Sequence, residues 1–385
     1  MKKNKLFIVL CLLLTFAALS ACAGKESTKE DAKQETQVNT GNTSEDKETK
    51  ATEIPVPTDT PAPTETPVPT DTPTPTGKPT PTPIVDNNVY EYYLMAYFTG
   101  NVESVSFATS ENGYTWDVLN NKKPVLESNV GTTGVRDPFV LRSPDGKKFY
   151  ILGTDLAINI SKDWGACQTS GSKAIVVWES DDLVNWSEPR LCEVGAETAG
   201  CVWAPEATYL PEYGQYVVYW ASRTSDDNYS KQRIWYCFTE DFTSFSDAQI
   251  WIDYPVDIID TTVIKEGDYY YRFSKYEGKS TVILERSKEF FGEWEMLNSD
   301  YLESQGGVEG PFCFKLLDKD KTETANYVLL LDHYGGAGYY ISDCLDLAGA
   351  TITAKSGYSM PRPKPRHGSV IWLTKEEYER LEEKY

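Results

Sequence analysis

Three acidic residues open similar short segments at separate places in the chain. Asp137 lies in RDPFVLR, Asp260 in IDTTVIK and Glu309 in EGPFCFK, and each segment continues into an apolar, tyrosine-rich run typical of a β-strand. If the three segments are equivalent strands around one axis, their carboxylates converge on a single pocket. Such a group can accept a proton from water or donate one to a leaving group. The pattern therefore predicts acid/base chemistry at one end of the axis.

Cleavage of a glycosidic bond is the reaction that suits such a set. In the inverting form, one carboxylate takes a proton from water while a carboxyl group protonates the leaving oxygen. A third acid nearby raises the pKa of the proton donor by like-charge repulsion and helps to orient it. An isolated Asp before Pro is more often a turn residue. The interpretation therefore depends on the three acids occurring together.

Two kinds of segment recur through the folded part of the chain. One is a strand, a turn and an aromatic residue, as in VSFATSENGYTW, IVVWESDDLVNW, IWYCFTEDFTSF and VILERSKEFFGEW, with a weaker copy at YYISDCLDLAGATI. Its turn is expected to be anchored by one hydroxyl residue per copy: Ser110, Ser180, Thr239, Ser287 and Ser342. The other is a hairpin that begins at DPFVLR, APEATYL, DTTVIK or EGPFCFK. Four copies of the hairpin alternate with the first kind.

The repeat spacing of about 50 to 70 residues is that of four-stranded blades packed around a channel. A fifth hairpin is divided between HGSVIWL near the C-terminus and YYLMAYF near residue 95. The sequence therefore predicts an all-β fold, a five-bladed β-propeller whose first blade is closed by strands from both ends of the domain. An irregular β-sandwich is the alternative, but the kept order of the two units favours the propeller. The first strand of each blade then lines the axis.

The ordered set of segments resembles glycoside hydrolase family 43, the five-bladed propeller hydrolases that act on arabinose- and xylose-containing polysaccharides. The likeness runs from about Tyr90 to about Leu373 and rests on RDPF (136–139), WAPE (203–206), IDTT (259–262), EGP (309–311) and RHGSV (366–370). The resemblance implies that Asp137 is the general base, that Asp260 tunes and orients the acid, and that Glu309 is the general acid. No single segment is specific, but the ordered set is.

The same resemblance suggests further site residues. His367 matches a histidine near the axis that in many members helps to hold a metal ion or its waters, often calcium, although the chemistry itself needs no cofactor. Trp203, Phe139 and Tyr339 are aromatic residues predicted to stack on sugar faces. Glu206 of WAPE is expected to line the substrate cleft, without a distinct chemical role.

Two departures from the family pattern stand out. IDTT lacks the proline of the commoner IDPS form, which weakens the match at Asp260 but keeps the carboxylate. YYLMAYFTG has no acid where related propellers that act on sucrose and fructans place a nucleophile within NDPNG. That second departure favours an inverting over a retaining mechanism.

The N-terminal part of the chain predicts export and anchoring. Residues 1–21 have the lysines, the short apolar core and the small residues of an export signal. LSAC resembles a bacterial lipobox, which makes Cys22 the expected lipidation site. Residues 22–83 are rich in Lys, Glu, Thr and Pro and form a disordered tether, whose second half reaches roughly 100 Å at ~3.1 Å per residue. The folded domain is then 84–385, on the extracellular face of a bacterial membrane.

Charge and composition exclude several partners. The formal net charge of −21 argues against nucleic acid and anionic lipid surfaces and is compatible with neutral carbohydrate. The membrane is then contacted only through the lipid anchor, and we expect a monomer. Two histidines and no CxxC pair make a zinc site of the usual spacing improbable.

The sequence supports more than one function. The leading hypothesis is a cell-surface, exo-acting hydrolase that removes α-L-arabinofuranosyl or β-D-xylosyl units from arabinan, arabinoxylan or xylan. Family likeness alone sets this substrate class, and it neither separates the two sugars nor excludes endo action. The alternatives are a non-catalytic surface lipoprotein that binds glycans and, less favoured, a retaining hydrolase or transferase.

Overall fold

The computed structural model describes residues 86–336 and 338–385. The export signal, Cys22 and the tether to residue 83 lie outside the described residues. The described part contains five four-stranded antiparallel sheets. Each sheet is one blade, and the predicted divided blade is present. The strands of the first blade are β20 (Arg366–Leu373), β1 (Tyr92–Thr99), β2 (Val102–Ser110) and β3 (Asp117–Val118).

The other four blades follow in chain order, each built from consecutive strands. The second contains β4 (Val135–Arg142), β5 (Phe149–Asp155), β6 (Ala174–Ser180) and β7 (Arg190–Glu193). The third contains β8 (Trp203–Leu210), β9 (Gln215–Ser222), β10 (Arg233–Thr239) and β11 (Gln249–Ile252). The fourth contains β12 (Ile258–Glu266), β13 (Tyr269–Tyr276), β14 (Thr281–Ser287) and β15 (Glu295–Leu297). The fifth contains β16 (Val308–Lys315), β17 (Tyr327–His333), β18 (Gly338–Asp346) and β19 (Thr351–Ala354).

The blades close into a ring around a central axis. The inner strands contact one another in the cyclic order β4, β8, β12, β16 and β20, and β20 returns to β4. In the first blade β20 pairs with β1, for example Met95 with Val370, so the C-terminal strand completes the ring. The five-bladed propeller with its first blade closed from both ends is thus confirmed.

Apolar side chains from adjacent blades form the core. One cluster joins Tyr93 of the first blade to Phe314 of the fifth, and another joins Phe107 of the first to Trp178 of the second. Three more clusters fill the remaining blade interfaces. Because successive side chains of a strand point to opposite faces, and both faces meet another blade, the strands read as nearly continuous apolar runs. This packing fixes the inner strands that position the site.

Four short turns have the predicted hydroxyl anchor. The side-chain oxygens of Ser110, Ser180, Thr239 and Ser287 each accept a hydrogen bond from a backbone N–H two residues later. The fifth anchor was assigned wrongly. Ser342 lies within β18 and bonds the hydroxyl of Tyr301, whereas Asp346 accepts the turn hydrogen bonds.

The described residues contain four short α-helices: α1 (Ile158–Ser161), α2 (Trp164–Thr169), α3 (Asp300–Ser304) and α4 (Lys375–Lys384). Of these, only α4 has a sequence with helical periodicity, and it begins with a capping box between Thr374 and Glu377. Helices α1 and α2 lie in the connection between β5 and β6, beside the site. Within the described residues no helix is long and apolar enough to cross a membrane.

Candidate active site

A β-bulge occurs near the start of every inner strand. In each case two consecutive inner-strand residues face one residue of the neighbouring strand, as where Asp137 and Pro138 oppose Gly153. The same shift occurs in β8, β12, β16 and β20. The residues that open the bulges are Asp137, Ala204, Asp260, Gly310 and His367. Four of them, all except His367, have a positive φ, between 49° and 53°.

The bulges arrange the axial side chains in three layers that follow one another along the axis, from the start of the inner strands inwards. The outermost layer precedes the bulge and contains Arg136, Trp203, Ile259, Glu309 and Arg366. The middle layer contains the five residues that open the bulges. The innermost layer contains Phe139, Glu206, Thr262, Phe312 and Ser369. This arrangement follows from the strand registers.

The prediction that all three acids are equivalent is wrong for one of them. Asp137 and Asp260 occupy the same position in their blades, but Glu309 comes one residue earlier, and Gly310 takes the equivalent place. The alignment of RDPF with EGPF already contained this signal, since it sets Gly310 opposite Asp137. Glu309 therefore approaches the axis from the outermost layer.

His367 lies between the two aspartates. Its Nδ1 is 3.5 Å from Asp137 Oδ1 and 4.0 Å from Asp260 Oδ2. Burial alone would lower the pKa of His367, but the hydrogen bond to Asp137 and the surrounding carboxylates raise it to about 9. Burial opposes ionisation of Asp137 as well, yet the contacts with His367 and the charge of Arg136 lower its pKa. The hydroxyl of Thr154 also donates to Asp137 Oδ2 at 2.9 Å.

Asp260 has a different environment. It is buried, and Oδ2 accepts the backbone N–H of Gly310 at 3.0 Å, which links the fourth and fifth blades. Burial raises the pKa of Asp260 to about 6, against the charge of His367 and with the help of Glu309 and Asp137. The two aspartates thus have pKa values shifted in opposite directions, a feature of acid/base sites.

Glu309 is held by two cations. Its Oε1 lies 3.0 Å from Arg366 Nη2 and its Oε2 lies 3.2 Å from Lys275 Nζ. Arg366 in turn donates from Nε to the buried Asp332 at 2.6 Å. Sequence reasoning missed all three partners, although Arg366 stands next to His367 in RHGSV. Each Glu309 oxygen thus has one cationic neighbour and keeps a second lone pair for another partner.

Glu206 lies in the innermost layer and is buried, whereas the other three acids lie in the middle and outermost layers. It is only 4% exposed, and Oε2 accepts from the hydroxyl of Tyr219 at 3.3 Å. Burial raises the pKa of Glu206 to about 8, opposed by the charge of His367. The contacts of Glu206 with the protein explain its presence in the innermost layer without a contact to substrate. Its predicted role in lining the substrate cleft stays a prediction.

The three predicted aromatic residues have different surroundings. Tyr339 is 3% exposed, and its hydroxyl bonds the carbonyl oxygens of Gly310 and Gly368 and the N–H of Gly368. The stacking role predicted for Tyr339 conflicts with this burial, because the ring instead ties β16 to β20. Phe139 packs edge-on against Phe312 in the innermost layer.

Trp203 is the only one of the three that lies in the outermost layer. Its ring is half-buried and meets the ring of Trp164 edge-on, at a centroid distance of 6.0 Å. It lines a cavity of about 550 Å³ beside α1 and α2. Its stacking role stays a prediction.

A second cavity of about 470 Å³ opens next to Glu309. Of the three predicted catalytic acids, Glu309 alone lines it, together with Arg136, Asn159, Lys162 and Arg366 and with the aromatic rings of Trp164 and Tyr334. Sequence reasoning missed these two rings, which lie on connections between strands. The arrangement offers a polar pocket directly beside the carboxylate assigned to proton donation.

The donor set does not favour direct metal coordination by His367. Its Nδ1 faces two carboxylates, and a hard cation such as calcium prefers oxygen ligands. Among the described residues no group of three or more His, Cys, Asp or Glu side chains is arranged to hold a metal ion. The metal role of His367 stays a prediction.

The fold is a five-bladed propeller, and acids from three of its blades lie near the axis. The chain belongs to the family related to glycoside hydrolase family 43, whose model, described as a probable glycosyl hydrolase domain, matches residues 88–379. An alpha-L-arabinofuranosidase of Bifidobacterium longum subsp. longum is 34% identical, and the match covers 59% of this chain and 25% of that protein. The chain thus spans about a quarter of the length of this relative.

Solved structures show weaker likeness. An exo-1,5-alpha-L-arabinanase from a bovine ruminal metagenomic library has 14% identity and a TM-score of 0.46, with 69% of this chain and 93% of that chain covered. An alpha-L-arabinofuranosidase from Lactobacillus brevis has 16% identity and a TM-score of 0.40, with 67% and 82% covered.

Proposed function

We propose that this protein hydrolyses glycosidic bonds at the axial site. Asp137 acts as the general base that activates water, Glu309 as the general acid, and Asp260 as the residue that tunes and orients the acid. The observation that carries the proposal is the convergence of acids from three blades on His367 and Arg366. The lowered pKa of Asp137 suits a base that is ionised at neutral pH.

The proposed substrate is an arabinose-containing plant polysaccharide, from which the enzyme releases terminal α-L-arabinofuranosyl units. The support is the identity of 34% to an alpha-L-arabinofuranosidase, of which this chain matches 25%. β-D-Xylosyl release from xylan or arabinoxylan is the alternative within the same chemistry, set by family likeness alone.

The inverting mechanism is proposed from the family resemblance. The lack of an acid in YYLMAYFTG does not support it, because β1 is the second strand of its blade and does not line the axis. An NMR spectrum taken in the first minutes of hydrolysis reports the anomer that forms first. Inversion predicts the anomer opposite to that of the substrate, and the same anomer would mean a retaining mechanism.

One observation favours a second candidate, a glycan-binding protein without turnover. Both oxygens of Glu309 are occupied by Arg366 and Lys275. If these ion pairs turn the carboxylate away from a bound sugar, the pocket binds the sugar and does not cleave it. Three axial acids, two of which have pKa values shifted in opposite directions, nevertheless suit catalysis better than binding.

The test is hydrolysis of aryl α-L-arabinofuranoside, aryl β-D-xyloside and linear arabinan by the purified protein and by Asp137→Asn. Turnover of any of them that is lost in the variant supports the enzyme and names the sugar. If the folded protein turns over none of the three substrates, the glycan-binding candidate is favoured. Equal turnover in the two proteins would contradict the role of Asp137.

We further propose that the protein is a monomer anchored at the outer face of the bacterial membrane through a lipid on Cys22. The support is the LSAC segment and the tether composition. In cells, Cys22→Ala should release the protein from the membrane fraction to the medium. A variant that stays in the membrane fraction would contradict lipid anchoring at this residue.

A further inference from the structure

The cavity beside Glu309 lies over the first blade because that blade has the shortest connection at this end of the ring. Only Gly100 and Asn101 separate β1 from β2. The corresponding connection of the second blade runs through residues 156–173 and carries α1 and α2, and that of the fifth blade carries Tyr334. The two longer connections form walls of the cavity that carry Trp164 and Tyr334, and Gly100 lines it at the short turn of the blade between them.

Each wall presents an exposed aromatic ring. Among the described residues, three large aromatic side chains are exposed: Trp164 at 49%, Tyr334 at 42% and Tyr213 at 39%. Trp164 and Tyr334 both line the cavity, whereas Tyr213 lies in the turn after β8, at the far end of that strand from Trp203. A single exposed aromatic residue such as Tyr213 is ordinary, whereas exposed apolar surface grouped in one cavity marks a binding site. The two rings on the walls of this cavity therefore suggest a shared ligand.

Both rings are held in place. The Trp164 ring meets the edge of Trp203, and the Arg136 guanidinium lies 5.4 Å from the Trp164 centroid. Arg136 is fixed by Glu103 at 3.1 Å, and the same carboxylate accepts the backbone N–H groups of Ile158 and Asn159 in α1. On the other wall, Lys275 Nζ lies 4.6 Å from the Tyr334 centroid. Rings held in this way lose little freedom when a ligand binds.

The lining chemistry fits a sugar. Arg136, Asn159, Lys162 and Arg366 offer hydrogen-bond donors between the two rings. Sugar hydroxyl oxygens accept such bonds, and the C–H faces of a sugar ring pack on aromatic faces. Of the proposed catalytic acids only Glu309 reaches this cavity, and the general acid protonates the oxygen of the leaving group. The cavity is therefore on the leaving-group side of the scissile bond.

We propose that Trp164 and Tyr334 clamp the sugar on the leaving-group side of the scissile bond, and that the rest of the polysaccharide leaves over Gly100. The proposal rests on the proposed function, since Glu309 marks the leaving-group side. It makes the protein a hydrolase for bonds that are followed by further sugar units, and a poor one for simple glycosides. Specificity then resides in the two connections rather than in the axial acids.

Gly100 provides a way to block this path. A Cβ at Gly100 would meet only Arg366 Nη1, at 3.7 Å, and its φ is outside the left-handed region, so a side chain fits without backbone strain. Gly100→Phe should therefore fold normally and fill the exit of the cavity. Trp164→Ala and Tyr334→Ala remove the two rings, and Tyr213→Ala is the matched control for an exposed aromatic residue remote from the cavity.

The experiment compares kcat/KM on linear arabinan with kcat/KM on methyl α-L-arabinofuranoside for the wild type and the four variants. For Trp164→Ala, Tyr334→Ala and Gly100→Phe, the loss on arabinan should exceed the loss on the methyl glycoside at least about tenfold. Tyr213→Ala should match the wild type on both. Equal losses on the two substrates, or no loss on arabinan, would overturn the clamp.

A binding measurement separates failure of the clamp from failure of the proposed function. If the wild type cleaves neither substrate, hydrolysis is wrong, and affinity electrophoresis in gels that contain linear arabinan or arabinoxylan tests the clamp alone. Retardation of the wild type that is lost in the three cavity variants and kept in Tyr213→Ala supports it. Retardation that persists in those variants, or none in the wild type, overturns it.

Discussion

At the scale of single residues, Glu309 differs most from its expected role. It stands one residue before the position shared by Asp137 and Asp260, so its longer side chain reaches the axis from the outermost layer. There it contacts Arg366 and Lys275, which occupy both carboxylate oxygens. A carboxylate oxygen with one such contact keeps a second lone pair, so Glu309 can face a leaving oxygen without losing either cation. Arg366 and Lys275 thus fix the orientation of the carboxylate proposed as proton donor.

Replacement of the proposed acid should depend on the leaving group. Glu309→Gln should lower kcat on a methyl glycoside by about 10²-fold or more, because a poor leaving group needs protonation. The loss on a 2,4-dinitrophenyl glycoside should be much smaller, because that group leaves without a proton. Glu303→Gln, at an exposed glutamate of α3 paired with Lys279, is the control. Equal losses on the two substrates would contradict the role of Glu309 as acid.

The pairing of His367 with Asp137 makes a prediction about pH. Because the folded pKa of His367 is raised from 6.5 to about 9, its contribution to the free energy of unfolding is fully present below about pH 6.5 and is lost as pH rises through about 9. With two histidines in the chain, NMR can follow the ring of His367 directly. Asp137→Asn should lower its pKa by more than one unit.

The same variant should also flatten the dependence of stability on pH between about 7 and 9. His333→Gln assigns the two ring signals without touching the axis. A His367 pKa that is unchanged in Asp137→Asn would mean that other carboxylates, and not Asp137, hold the charge on the ring.

At the scale of elements, the bulges and one connection position the site. The bulge at the start of each inner strand turns a residue towards the axis, and Asp137 and Asp260 use that position. The connection with α1 and α2 carries Trp164 and is tied to the ring by Glu103. That carboxylate joins Arg136 of β4 to the backbone of Ile158 and Asn159. One buried side chain thus organises one wall of the cavity.

Removal of the Glu103 carboxylate should loosen that wall. Glu103→Ala leaves Arg136 and two backbone N–H groups without their partner, and both charged side chains are nearly buried. We expect a loss of about 3 kcal/mol in the free energy of unfolding, measured by urea denaturation, because a buried charge loses its partner. Glu103→Gln should retain part of this stability, since its amide oxygen still accepts. A loss below about 0.5 kcal/mol in Glu103→Ala would contradict the claim that Glu103 holds α1 against β4.

Much of this architecture could be predicted from the sequence, for identifiable reasons. Alternating apolar strands and turns repeat at regular spacing, so the blades, their order and the divided first blade could be predicted. The periodicity of TKEEYERLEEKY likewise indicates helix α4, but not its cap.

The bulge register could not be predicted, because it depends on pairing with a neighbouring strand. The shift of Glu309 follows from that register. The burial of Tyr339, on β18, follows from contacts of its hydroxyl with Gly310 and Gly368 of two inner strands, which the repeat does not show. Trp164 and Tyr334 were missed because they lie outside the repeats, on connections whose shape the repeat does not determine.

At the scale of the whole molecule, the ring depends on its C-terminal strand. β20 supplies His367 and Arg366 to the site and pairs with β1 to close the first blade. Helix α4 packs behind this closure, where Glu377 pairs with Arg142 at 2.6 Å and Tyr378 stacks on Tyr92 at 4.0 Å. One strand thus contributes both to ring closure and to the axial site.

Two truncations separate closure from support. A chain that ends at Pro365 lacks β20 and should show no cooperative thermal unfolding in near-UV circular dichroism, because an open ring exposes the edge of β1. A chain that ends at Leu373 lacks only α4 and should unfold cooperatively at a lower Tm. Cooperative unfolding of the shorter chain at the wild-type Tm would contradict the dependence of the ring on β20.

The most direct test of the central claim is chemical rescue at Asp137. Glycine fits this position, since Asp137 has a φ of 51° and Gly310 occupies the equivalent bulge with a φ of 50°. We predict that Asp137→Gly hydrolyses an activated aryl glycoside about 10³-fold more slowly than the wild type. Sodium azide should restore turnover by forming a glycosyl azide of the opposite anomeric configuration. Hydrolysis within a few fold of the wild type, no effect of azide, or an azide product of retained configuration would contradict the placement of Asp137 as the base opposite the leaving group.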